Sequence, residues 1–173
     1  MRRAGTLAIC AVVLGYATVV QGGGENQFAH LALVRSLTDG TAIVDRYQRE
    51  SKDLAWYDGH YYSTKAPGLA FLTVGPYFVL DETGILDGAA DAIGTDPRSL
   101  ALWILVLVGA VLPTAALLFM LRRVGDDIES GFGPVTAVTA GLCTLLFPFA
   151  TLFFDHALGA ALAFAAFFTL FYA

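Results

Sequence analysis

Charge is scarce in this chain of 173 residues, where Asp, Glu, Lys and Arg together make up 14%. An ordinary soluble domain carries about a quarter. The shortage is uneven, because nearly all the charge sits in a few blocks, and that argues against a soluble domain. Basic runs are missing too. With a formal net charge of −5, nothing marks a nucleic-acid partner. Cysteine is limited to Cys10 and Cys143, both inside apolar runs. This excludes a disulfide framework and any cysteine metal spacing, and leaves buried apolar thiols as the simple reading. Asp58 and His60 share a face if the chain is extended there, but two possible ligands do not make a metal site, so no metal and no cofactor is expected. There is no repeat, coiled coil or low-complexity tail.

What is abundant is apolar surface, at 57% of residues. Four uncharged stretches stand out: Ala4–Gly24, Ser99–Leu121, Ser130–Phe154 and Ala157–Ala173. A helix needs about 20 mainly apolar residues to cross hydrocarbon. These stretches predict spans over about residues 4–21, 99–121, 132–152 and 155–173. The expected fold class is all-α, a polytopic membrane helix bundle in one membrane domain, with a large outer loop containing juxtamembrane horizontal helices. The fourth stretch ends at Leu170–Phe171–Tyr172–Ala173 with no polar tail, which reads as the N-terminal part of a larger protein.

Arg2 and Arg3 precede the first span, and Arg122–Arg123 follow the second; both flanks favour the cytoplasmic side. The expected location is therefore the cell membrane, multi-pass, with the N-terminus cytoplasmic and residues 22–98 outside. That loop holds eleven acidic and six basic residues between Glu25 and Arg98. Within it, Phe28, Leu31, Val34 and Arg35 fit a short amphipathic helix over Glu25–Leu37, stopped at Asp39–Gly40. His30 would be an interface residue of that helix. Ile43–Val44 reads as an extended return, and Asp87–Ile93 as a further short helix. The apolar segment Pro67–Leu80 has 14 residues, which is short for a crossing. It predicts a horizontal helix over about 66–80, with Tyr61, Tyr62, Tyr77 and Phe78 as an aromatic belt.

The candidate chemistry lies in and around this loop. The block from Trp56 to Gly68 packs Asp58, His60, Tyr62 and Lys65 beside an apolar helix. Pro67 suits the start of that helix, so Lys65 stands at its positive end. A lysine, hydroxyls and free amides together suit a phosphate or pyrophosphate at a membrane surface. A snorkelling lysine in an aromatic belt is the plainer reading. Glu25 follows the first span directly, and Asp155 and His156 lie between the third and fourth. Carboxylates at that level can serve as general bases or as ordinary solvated helix ends.

Two stretches give the chain a family resemblance. Glu25–Asn26–Gln27–Phe28 through Asp39–Gly40 resembles the acidic pair, helix and glycine stop that follow the first span of the GT-C superfamily of polytopic glycosyltransferases. Tyr62–Ser63–Thr64–Lys65–Ala66–Pro67–Gly68–Leu69 is similar to that superfamily's aromatic–Lys–Pro–Pro–Leu loop motif. The protein O-mannosyltransferases and aminoarabinose transferases belong to this group, and the chain looks closest to actinobacterial membrane proteins of that kind. The resemblance implies sugar transfer from a polyprenyl-phosphate carrier, in contact with membrane lipid, to an unidentified acceptor at the outer face. It implies Glu25 as catalytic carboxylate and Lys65 on the lipid-linked phosphate. Asp155 matches a second outer-loop acid, with His156 beside it. It also implies horizontal helices in the first outer loop. The chain departs from the pattern in having glutamate where the family has aspartate, and Asn26 where it has a second acid. His60, Tyr62, Asp58 and His156 complete the candidate substrate-binding set.

Two other classes compete. A transporter or flippase fragment would show broken spans with polar groups at the midplane; the long stretches contain Pro113, Pro134 and Pro148 but no midplane charge. A non-catalytic membrane scaffold would associate through small residues such as Gly109–Ala110, Gly159–Ala160 and Ala165–Ala166.

Overall fold

The computed structural model describes residues 2–172, with side chains for residues 3–171. The chain forms two compact units. One gathers residues 21–109 with the short stretch 153–155; the other gathers the N-terminal helix, residues 110–152 and the last helix.

The first of these units is built around α2 (Glu25–Thr38). Glu25 lies in its first turn, where the helix dipole favours an acid. Its last turn closes as Gly40 takes φ 80° and the Gly40 amide donates to the Leu37 carbonyl, a left-handed stop that glycine adopts without Cβ strain. α2 is not the amphipathic surface helix that its polar residues suggest. Gln27, Ala29, His30, Leu31, Ala32, Leu33, Val34 and Ser36 are all buried, so His30 belongs to the core.

The cover over α2 comes partly from an antiparallel hairpin, β1 (Leu54–Tyr57) and β2 (His60–Ser63), paired from Leu54 opposite Ser63 to Tyr57 opposite His60. Its two-residue turn is Asp58–Gly59, with φ 48° and 85°. Two positive φ values in a row match the right-handed twist of the strands. Val44, Tyr47 and Ala32 form a small core under this hairpin, with Leu54 and Tyr61 packed against it. Asp58 sits in the turn and His60 on the strand, so the two do not share a strand face.

α3 (Gly68–Glu82) and α4 (Ile85–Ile93) follow, bent by 76° across Gly84, whose φ is 67°. Helix α3 buries Leu69, Ala70, Thr73 and Tyr77 and leaves Phe71, Leu72, Phe78 and Val79 exposed. Tyr77 therefore faces the core and is no part of an aromatic belt. After Gly94, Asp96 caps α5 (Pro97–Val106) by accepting from the Arg98 amide at 2.9 Å.

α5 runs through a π-helical turn, Leu107–Val111, into α6 (Leu112–Ile128). The wide turn has a local cause. Pro113 has no amide proton, and its ring crowds the Gly109 carbonyl four residues back. Residues 97–128 form one helix of 32 residues, about 48 Å long at 1.5 Å per residue.

The second unit contains α1 (Arg2–Thr18), α6, α7 (Gly133–Cys143), α8 (Leu146–Ala150) and, from His156 onward, α9 (Asp155–Tyr172). Glycines set its tightest approaches. A Cβ on Gly133 would lie 2.3 Å from the Arg122 carbonyl oxygen, and one on Gly5 would lie 2.5 Å from the Pro134 ring. Asp126 accepts from the amides of Gly131 and Gly133 and so fixes the α6–α7 link. The buried Tyr16 hydroxyl donates to the Gly141 carbonyl at 2.7 Å. A Cβ on Gly159, a candidate contact of the scaffold reading, would meet nothing within 4 Å outside its own helix backbone.

The expected four-span, all-α bundle is not what forms. Among the described residues one helix, Pro97–Ile128, is long and apolar enough to cross a membrane; counting the bent pair α3–α4 as one segment would make two. The hairpin also removes the all-α description. The stretch predicted to span 4–21 ends as a helix at Thr18 because Gly22–Gly23–Gly24 favour extended chain. The 132–152 stretch breaks in two. Thr144 turns extended at φ −128°, ψ 176°, its hydroxyl takes the Leu146 amide at 3.1 Å, and Pro148 cannot donate. The 155–173 stretch forms α9, whose apolar part Asp155–Phe171 is shorter than the roughly 20 residues a crossing takes. An uncharged run reports burial or lipid contact, but not continuity of the backbone helix.

Candidate functional site around the first turn of α2

The first turn of α2 is where separate parts of the chain meet. Glu25 uses both its backbone and its side chain there. Its carbonyl accepts from the Ser51 hydroxyl at 2.7 Å, and its carboxylate accepts a short hydrogen bond from the Lys52 amide. The Ser51 hydroxyl in turn accepts from the Asp53 amide at 3.0 Å. Asp53 forms an ion pair with Lys65, and Thr64 adds a hydroxyl donor to the same carboxylate at 2.8 Å. The Lys65 and Thr64 hydrogen bonds hold the Asp53 carboxyl below the usual carboxylate range.

Lys65 is thus connected to Glu25 through residues 51–53, although the two are forty positions apart in the chain. A second tether reinforces this. The Ser63 hydroxyl donates to the Ala29 carbonyl at 2.9 Å and accepts from the Lys65 amide, so the end of β2 rests directly on α2. Lys65 stands three residues before the start of α3 at Gly68. The first amides of that helix lack intrahelical acceptors.

Gln27 brings in the third element. Its Nε2 donates to the Gly22 carbonyl and its Oε1 accepts from the Phe153 amide, both at 2.9 Å. Phe153 is fully buried, with His30 edge-on at 5.7 Å. Asp155 is two residues further on, within the same compact unit and in the first turn of α9. Three sequence-chosen residues, Glu25, Lys65 and Asp155, therefore all belong to the unit organised by α2.

The remaining candidates lie elsewhere. His60 bonds Asp45 at 2.7 Å. That contact, with the Tyr61 amide at 2.6 Å, depresses the Asp45 carboxyl and serves to pin the hairpin. Asp58 occupies the exposed hairpin turn. Tyr62 is half-buried, bridged to Ile43 and tilted against Tyr57. His156 belongs to the other unit, where it stacks on Phe149 at 4.4 Å.

Asp53, Ser51 and Gln27 escaped the sequence reading. One signal was available: Asp58–Gly59 between Leu-Ala-Trp-Tyr and His-Tyr-Tyr-Ser marks a two-residue hairpin. Its register puts Asp53 across from Thr64 and next to Lys65. No comparable signal announces Gln27, whose partners lie five residues before it and 126 after it.

Among the described residues no group of three or more His, Cys, Asp or Glu side chains is arranged to hold a metal ion. Comparison of the chain with protein-family models, with curated proteins and with solved structures finds no match.

Proposed function

We propose that this chain is part of a membrane-bound glycosyltransferase that moves a sugar from a polyprenyl-phosphate carrier to an outer-face acceptor. The observation that carries the reading is the connected set Glu25, Ser51, Asp53 and Lys65 at the first turn of α2. It joins a carboxylate to a cation beside a helix N-terminus, which are the two charges that displacement at a sugar phosphate requires. Glu25, or Asp155 held by the Gln27–Phe153 tether, takes the proton of the acceptor hydroxyl. The acceptor oxygen bonds to the anomeric carbon as the bond from that carbon to the phosphate oxygen breaks. The electron pair leaves with the polyprenyl phosphate, and Lys65 and the α3 amides neutralise it. Asp53 keeps the ammonium engaged until a phosphate competes for it.

The helix Pro97–Ile128 serves as the membrane anchor in this reading. Arg122 and Arg123 near its far end mark the cytoplasmic side, and the acidic stretch before Pro97 the outer side. The test is sugar transfer from a labelled polyprenyl-phosphate donor by the full-length gene product in membranes. Lys65→Met, and Glu25→Gln combined with Asp155→Asn, should each lower turnover at least about a hundredfold. Unchanged transfer after replacing Lys65, Glu25 and Asp155 together would refute the assignment.

A further inference from the structure

Helix α3 stands at a definite level along the proposed anchor helix. A Cβ on Gly109 would lie 2.5 Å from the Leu69 side chain and 3.2 Å from that of Thr73. Further along α3, Tyr77 and Asp81 line one cavity with Ala101 and Arg98, which lie earlier on α5. The two helices therefore pack side by side in the antiparallel sense, and α3 does not lie flat across the end of α5. The stretch from the Arg98 level to the Gly109 level is about 16 Å long at 1.5 Å per residue. α2 runs beside them in the same sense as α3. Its Arg35 lines the Arg98 cavity, and its His30 lies against Phe153, whose ring stands 3.5 Å from the Gly109 Cβ position.

Charge stops at one level on all three helices. α5 carries no Asp, Glu, Lys or Arg from Ser99 through Gly109, α3 none from Gly68 through Leu80, and α2 none from Asn26 through Val34. Arg98, Asp81 and Arg35 close this slab at one end and meet around the same cavity. Its thickness of about 16 Å is about half of a hydrocarbon core of roughly 30 Å. A crossing by Pro97–Ile128 fixes where the slab lies. The uncharged run Ser99–Leu121 has 23 residues, little more than the roughly 20 that a crossing takes. The first half of that run then fills the outer leaflet, and α3 stands beside it at the same depth. The surface of α3 suits hydrocarbon. Its exposed residues before Asp81 are Gly68, Phe71, Leu72, Gly75, Phe78 and Val79, with Phe71 63% exposed and Phe78 47%. Glu25 and Lys52, at the foot of the slab, are exposed and charged, so that end opens into a hydrated notch. A carrier phosphate would reach the first turn of α2 through that notch.

We infer that α3 is a re-entrant half-helix whose exposed face, formed by Phe71, Leu72, Phe78 and Val79, is covered by the acyl chains of outer-leaflet lipid, with Gly68 at mid-bilayer depth. The inference rests on the membrane crossing by Pro97–Ile128 and not on the transfer chemistry. The test is fluorescence quenching of single-tryptophan variants of the full chain in phosphatidylcholine vesicles, with lipids brominated near the glycerol end or near the methyl end of one acyl chain. The native tryptophans are Trp56 and Trp103. Trp56→Phe leaves Trp103 as the reporter of α5. Phe71→Trp and Phe78→Trp, each added to Trp56→Phe and Trp103→Phe, report on α3. The two α3 positions differ in depth by about 10 Å. The shallow bromines should quench Phe78→Trp about twofold more than the deep ones, the order should reverse for Phe71→Trp, and aqueous acrylamide should reach neither. Equal, shallow quenching of both positions would mean a helix lying flat and would overturn the inference. So would quenching by acrylamide in place of lipid, or lipid quenching that fades as the protein-to-lipid ratio rises, which would mean that a second copy covers the face. Lipid quenching of Trp103 without quenching at position 71 overturns the inference alone. No lipid quenching of Trp103 would remove the crossing by Pro97–Ile128, and the inference with it.

Discussion

Replacing Gln27 with Met tests whether a single amide side chain joins three parts of the site. Methionine nearly preserves length and volume but offers neither hydrogen bond. In the native chain Gln27 is 3% exposed and holds both the Gly22 carbonyl and the Phe153 amide. Gly22 is exposed, so water replaces the lost donor at little cost. Phe153 is fully buried, and its amide would be left without an acceptor, a loss of about 1–3 kcal/mol. Taking about 2 kcal/mol, the free energy of local opening around residues 153–155 falls enough to speed exchange of the Phe153 amide proton about thirtyfold. Gln27→Glu in its protonated form keeps the acceptor for Phe153 and an O–H donor for the Gly22 carbonyl, so in mildly acid buffer its exchange rate should stay within a few-fold of native. Hydrogen–deuterium exchange resolved at Phe153 reads both variants. Equal Phe153 exchange in the native, Met and Glu proteins would refute the tether, and with it the reason for grouping Asp155 with Glu25.

Three other outcomes follow from the geometry. Gly133→Ala sets a methyl against the Arg122 backbone carbonyl, which cannot swing aside as a side chain would; thermal unfolding should show a loss of about 2 kcal/mol or more, whereas Gly159→Ala, in open space, should be neutral or slightly stabilising. The Asp45 and Asp53 carboxyls sit below their ordinary range, held there chiefly by His60 and Lys65; their contribution is therefore complete above about pH 4 and is lost as pH falls through the lowered values. Fluorescence of the hairpin residue Trp56 should accordingly show an acid transition below about pH 4, and a signal that stays flat down to about pH 2 would contradict this origin. Asp53→Asn releases Lys65 from its ion pair, so titration with a polyprenyl phosphate should show tighter binding, by up to about fivefold.

Several elements could be read from residues alone, and each had a local cause. The helix over Glu25–Thr38 announces itself through its apolar spacing and its Asp39–Gly40 stop. The helix beginning near Pro67 and the entry at Asp96–Pro97 follow from cap chemistry. What misled was the absence of charge. Ser130–Phe154 contains no Asp, Glu, Lys or Arg, yet Thr144 and Pro148 divide it, because a side-chain hydroxyl and a missing amide proton act over one turn whatever the surrounding hydropathy. The same limitation concealed the depth of α2. Its Gln27, His30 and Ser36 look like a wet face, and only tertiary cover from the hairpin, α3 and Phe153 buries them. Glu25 and Lys65 were recognisable as candidates. Asp53 was legible only indirectly, through the strand register that the Asp58–Gly59 turn sets.

The link between this geometry and its chemistry rests on a lipid-linked phosphate reaching the first turn of α2. Placing a photo-reactive phenylalanine analogue at Asn26, beside Glu25, and illuminating membranes that contain radiolabelled polyprenyl phosphate measures this directly. The expected result is a covalent adduct that unlabelled polyprenyl phosphate suppresses and that Lys65→Met largely abolishes. Absence of an adduct, or labelling indifferent to both the competitor and Lys65, would contradict a phosphate site there.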